Sequence, residues 1–117
     1  MRKTDKKIDN QLREVLTEVC ETALKKFSGF QWLTHLVSYS NFPQSLTIVC
    51  IFDTNESLDQ FKATNGRNEL TTLIQNKLLG LGVRIPVKNM SNHIDYDTEE
   101  DCDNKHSGNW AIRLGSK

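Results

Sequence analysis

Over the first 27 positions, Ile8, Leu12, Val15, Leu16, Val19, Ala23, Leu24 and Phe27 recur at spacings of three and four. Arg13, Glu14, Glu18 and Glu21 fill the opposite side. That period predicts one amphipathic helix from about Thr4 to Phe27, stopped by Ser28-Gly29. The pattern then changes. Phe30 to Tyr39 is aromatic and β-branched, which predicts a strand with Trp32, Thr34, Leu36 and Ser38 on one face. Leu33, His35, Val37 and Tyr39 then take the other. Pro43 marks a turn across Ser40–Ser45. Leu46 to Phe52 is nearly all apolar, the composition of a strand buried on both faces. A short connection between the two strands makes an antiparallel hairpin.

Beyond Phe52 the helical period returns. Ser57 and Gln60 fit a capping box, so a short helix is expected over Ser57–Ala63, ended by the turn signal Asn65-Gly66. A second helix follows from Asn68, with Leu70, Leu73, Ile74, Lys77 and Leu78 in phase, to Gly80 or Gly82. Val83 to Val87 reads as a short edge strand, where Pro86 does least harm. After it, His93–Asp97 and Trp110–Leu114 read as strands joined by an acidic loop. The order α-β-β-α-α-β with a β-like C-terminal tail predicts a single two-layer α+β domain over residues 1–117. Its core is residues 1–88, and residues 89–117 form the acidic loop and tail strand.

Length and charge narrow the classes. The 117 residues suit one domain, and 37% hydrophobic content is enough for one core. Fifteen basic residues balance 15 acidic ones, which excludes nucleic-acid binding through bulk positive charge. The zero is an average, however. Residues 1–88 hold 12 basic and 9 acidic side chains, whereas residues 89–117 hold 3 and 6. No apolar run approaches the roughly 18 residues of a membrane span, and the charged start, Arg2-Lys3-Thr4-Asp5-Lys6-Lys7, leads into no signal-peptide core. Cys20, Cys50 and Cys102 are odd in number and widely spaced, the usage of reduced thiols in a cytoplasm. Cys20 and Cys50 fall on apolar patterns and are expected to pack; Cys102, among carboxylates, is expected to be an exposed, inert thiol.

No nucleophile elbow, phosphate-binding glycine loop or zinc-protease motif is present, so nothing specific supports an enzyme. His35 would need a partner such as Asp53 to act as a base. Asp95, Asp97, Glu99, Asp101 and Asp103 alternate like calcium-loop ligands, but Glu100 stands where the turn wants glycine and His106 where a bidentate glutamate belongs. His93, Cys102 and His106 are incomplete as a zinc set. The metal alternative rests on His93, Asp95, Asp97 and His106 converging at one point, as a divalent-metal hydrolase would need. Otherwise no cofactor is implied. A nucleic-acid alternative rests on Lys62 and Arg67 around Asn65-Gly66. The element order looks like the KH-type RNA-binding arrangement, but Ala63-Thr64-Asn65-Gly66 replaces its GxxG loop.

Several runs carry a resemblance: Arg2-Lys3-Thr4-Asp5-Lys6-Lys7, Gly29-Phe30-Gln31-Trp32-Leu33-Thr34-His35, Phe42-Pro43-Gln44-Ser45-Leu46, Phe52-Asp53-Thr54, Asp97-Thr98-Glu99-Glu100 and Gly108-Asn109-Trp110. In these the chain is similar to a small group of uncharacterised bacterial proteins, some labelled as Fis-family transcriptional regulators. Such a label implies a basic helix-turn-helix at the C-terminus, and the resemblance supplies no catalytic residues.

The expectation is therefore a soluble, cytoplasmic binding module for a protein partner, without catalysis of its own. Its partner surface is expected to join Trp32, His35, Asp97, Glu99, Glu100 and Trp110. A homodimer through the edge at Val83–Val87 or through the tail is compatible with this pattern.

Overall fold

The computed structural model describes residues 2–115. Helix α1 runs Lys3–Lys26, and Asp9, Leu12, Leu16, Val19 and Ala23 form its buried stripe. It ends where the Phe27 N–H returns to the Ala23 carbonyl. Gly29 then turns the chain at φ 87°. A Cβ there would lie 2.6 Å from that of Ser57, so both the backbone and the space demand glycine.

Strands β1 (Phe30–Leu36) and β2 (Thr47–Phe52) form the expected antiparallel hairpin. A register shift between Phe30 and Trp32 lets both Phe30 and Leu33 reach the helical core. Helices α2 (Asn55–Ala63) and α3 (Gly66–Gly80) cross over to β3 (Ile94–Thr98), which pairs parallel to β2. The sheet order is β1-β2-β3, so β2 is central. Cross-strand partners share a face. Leu33, Cys50 and Tyr96 align on the side of α1, α2 and α3, whereas Trp32, Ile51 and Asp97 align on the reverse. Ile48, Val49, Cys50, Ile51 and Phe52 are wholly buried, as an apolar run covered on both faces must be. Ion pairs Lys26–Glu69 and Lys77–Glu18 hold α3 antiparallel to α1.

The α+β order α-β-β-α-α-β stands, with four corrections. Residues 83–87 are not a strand: Val83 and Ile85 are buried in the helical core, and Pro86 starts the single-turn helix α4 (Val87–Met90). Proline's fixed φ suits that entry better than a sheet edge. The cap of α2 is Thr54, whose hydroxyl accepts from the Ser57 N–H, and not Ser57 itself.

The acidic stretch is a helix, α5 (Glu99–His106), capped by Thr98, whose hydroxyl accepts from the Asp101 N–H at 3.0 Å. Glu99, Glu100 and Asp101 stand in its first turn, with Lys105 and His106 in its last. That order of charge complements the helix dipole. Finally, the expected tail strand is helix α6 (Trp110–Gly115), started by the Asn109 side chain accepting from the Ile112 N–H. Consecutive left-handed residues, Ser107 (φ 52°) and Gly108 (φ 78°), turn α5 into α6. No helix among the described residues is long and apolar enough to cross a membrane.

Candidate functional site

The residues expected to form one partner surface fall into two clusters on opposite faces of the sheet. The alternation of β1 forces this: Trp32 points to the reverse face and His35 to the α1 side. On the reverse face, Glu99 accepts from both indoles, from Trp32 Nε1 at 2.6 Å and from Trp110 Nε1 at 3.0 Å. The two rings meet edge to face with centroids 5.0 Å apart. Beside them Arg113 grips Asp97 with two hydrogen bonds, at 2.6 and 2.7 Å. Asp97 also accepts from the Thr98 N–H. Glu100 caps the Asn55 N–H at the start of α2. These carboxylates tie α5 and α6 to the sheet. Of the three, Asp97 is buried, Glu99 is half-buried and Glu100 is exposed.

The metal alternative is not brought together. His93 Nδ1 donates to the Leu46 carbonyl, and Asp95 accepts from the Tyr96 N–H. Arg113, a cation already in place, stands between Asp97 and His106 and hydrogen-bonds to both. Among the described residues no group of three or more His, Cys, Asp or Glu side chains is disposed to hold a metal ion. His35 does not meet Asp53, whose carboxylate accepts from the Thr54 N–H instead. Lys62 lies 5.9 Å over the Tyr96 ring at the α2–α3 turn, and Arg67 is exposed on the other side of that turn. Cys102 is buried, against expectation, because its helix packs it inward. Burial also raises the thiol pKa of Cys20 and pushes Cys50 up to about 12.

The second cluster centres on Asp9, a residue the pattern analysis passed over. Its carboxylate accepts from Tyr39 Oη at 2.6 Å, from His35 Nε2 at 3.0 Å and from Arg13 Nη2 at 3.0 Å. The Tyr39 hydrogen bond, then that of His35, holds the Asp9 carboxyl below its ordinary range despite burial. Burial, reinforced by Asp9, raises the Tyr39 phenol. The available signal was an acid three residues before Leu12, within the buried stripe of α1.

This cluster closes one end of a groove of about 550 Å³ between α1 and β1. Leu16, Cys20 and Leu33 supply its apolar part, and Arg13, Thr17, Glu21 and Thr34 its polar part. The groove runs along the outer edge of β1, which has a strand neighbour on one side only. The Asp53 N–H donates to the Gly29 carbonyl, so Phe30 and Phe52 form a non-hydrogen-bonded pair; past the register shift Leu33 and Cys50 form another, and the Leu33 N–H points away from β2. In an antiparallel strand the carbonyl of the same residue points with it, and His35, two residues on, does likewise.

The opposite edge differs. On β3 the Tyr96 and Thr98 N–H groups are taken by the side chains of Asp95 and Asp97, at 2.9 and 2.8 Å. Inward hydrogen bonding and negative charge both discourage another strand there. Compared with known proteins, the chain matches no family model, and no curated protein or solved structure matches it.

Proposed function

We propose that this chain is a protein-interaction module that takes an extended segment of its partner along the outer edge of β1. The supporting observation is the asymmetry of the sheet: the β3 edge is closed by Asp95 and Asp97, and the β1 edge faces a groove. Strand addition draws its affinity from main-chain hydrogen bonds and its selectivity from alternate side chains. Here Leu33 and His35 provide the main-chain groups, and alternate partner side chains meet Leu16 and Cys20. The reading keeps the expected binding role and moves it from the acidic helix to α1 and β1.

The test is selection of a displayed library of random peptides on the folded protein, followed by amide shift mapping with the best binders. Binders should alternate apolar and polar residues, and shifts should concentrate on residues 31–36 and on the groove side of α1. Shifts centred on α5 and α6 would refute the placement.

A further inference from the structure

Resting on this reading of the β1 edge, we infer that its occupant is a second copy of the chain, bound about a two-fold axis beside Thr17 and Thr34. The argument is charge complementarity. On α1, Arg13, Thr17 and Glu21 are spaced four apart and all three line the groove. About Thr17 this sequence is its own electrostatic complement. In an antiparallel pair of α1 helices, Arg13 of each copy falls opposite Glu21 of the other.

An isologous interface requires this property, since the same patch must match itself. Arg13, Thr17 and Glu21 are exposed in the isolated chain, the Arg13 side chain to 70%. A stripe carrying one sign of charge would oppose the arrangement; this one favours it.

The strand obeys the same axis. With Thr34 opposite Thr34 of the second copy, Leu33 pairs with His35 in both directions. These are the residues whose backbone groups point outward, so each pair exchanges both hydrogen bonds. The axis of an antiparallel strand pair stands perpendicular to the sheet, which leaves both α1 helices on one side of the joined sheet. Thr17 and Thr34 line one groove, so a single axis serves helix and strand together. The dimer covers Leu16, Cys20 and Leu33 and leaves β3, with its self-capped edge, as the outer strand.

The experiment uses the full chain and sedimentation equilibrium, with circular dichroism to confirm folding. Wild type should sediment at twice the 13.4 kDa chain mass. Arg13→Glu puts like charges opposite at both symmetric contacts, and so does Glu21→Arg. Each should weaken self-association by about tenfold or more, in line with reversed charges at an interface. Mixing the two single variants should restore a one-to-one heterodimer, and the double variant R13E/E21R should dimerise alone.

Arg13→Glu also removes an ion pair to Asp9. Thr17→Glu therefore provides a second probe at an exposed helical position, placing two like charges at the axis. A monomeric wild type overturns the inference. So does a dimer indifferent to all three single substitutions, or a mixture that yields no heterodimer. If the wild type is monomeric but selects peptides at residues 31–36, the interaction module stands and only the second copy falls. A monomer that selects none removes both.

Discussion

Replacing Asp9 by Ala should be among the most damaging single changes to α1, although the residue belongs to no motif. Asp9 is 9% exposed and carries the convergent donors of Tyr39, His35 and Arg13. A hydrogen bond to a charged group is worth about 1.5–3 kcal/mol, and the exposed Arg13 adds only a few tenths. Alanine removes the acceptor for Tyr39 and His35 together. Because these two bonds share one carboxylate, their loss is less than additive, about 3 kcal/mol in all. For a chain of this size that corresponds to a fall in Tm of roughly 10 °C. Asparagine keeps one acceptor oxygen and should cost about half as much.

The pH dependence gives a separate check. Asp9 sits below its ordinary value of 3.8, so its contribution is complete above 3.8 and disappears as pH falls through the lower folded value. Urea unfolding of wild type and Asp9→Asn should therefore differ by a constant amount near neutrality and converge in acid. A penalty below about 1 kcal/mol for Asp9→Ala, or a wild-type–Asn difference that grows in acid, would refute the account.

Two further outcomes follow from the clusters described. Arg113→Met strands the Asp97 carboxylate, which is 5% exposed, and should cost about 3–5 kcal/mol by chemical denaturation; adding Asp97→Asn should recover part of it. Of the thiols, Cys20 is partly exposed and Cys50 and Cys102 are buried, so a thiol reagent should modify Cys20 in the native state and the others only on unfolding. Equal rates for Cys20 and Cys102 would contradict the burial of Cys102.

The elements read correctly are those in which one face meets a core. In α1 the stripe of Leu12, Leu16, Val19 and Ala23 is periodic because burial is periodic. In β2 the unbroken run Ile48 to Phe52 is apolar because both faces are covered. Helix α5 has no such stripe: Cys102 is its one buried residue, and its stability comes from a threonine cap and charges placed along the dipole. Alternating acids look like ligand spacing when the cap goes unnoticed.

The same turn occurs twice, as Asp53-Thr54 after β2 and as Asp97-Thr98 at the end of β3. In each, the threonine caps a helix and the aspartate accepts from the threonine N–H. That repeat was present in the sequence but is too short to register as a period. Asp9 was hidden for a related reason: a buried acid within an apolar stripe acquires meaning only when Tyr39 and His35, some 30 and 26 residues away, are known to meet it.

The acidic C-terminal region illustrates how far a run of carboxylates can be engaged within the molecule. A run of carboxylates reads as a surface seeking a cation or a basic partner, provided those groups are free. Here Asp95 holds the Tyr96 N–H, Asp97 holds Arg113, Glu99 holds two indoles, and Glu100 and Asp101 hold Asn55. Of these pairs, the buried one between Asp97 and Arg113 is the costly one to break one side at a time. On α1, by contrast, Arg13, Thr17 and Glu21 are scattered in sequence and unremarkable in composition, yet they stand exposed beside a strand edge with outward main-chain groups. Exposed side chains on α1 and outward main-chain groups on β1 are the observations on which the proposed interaction surface rests.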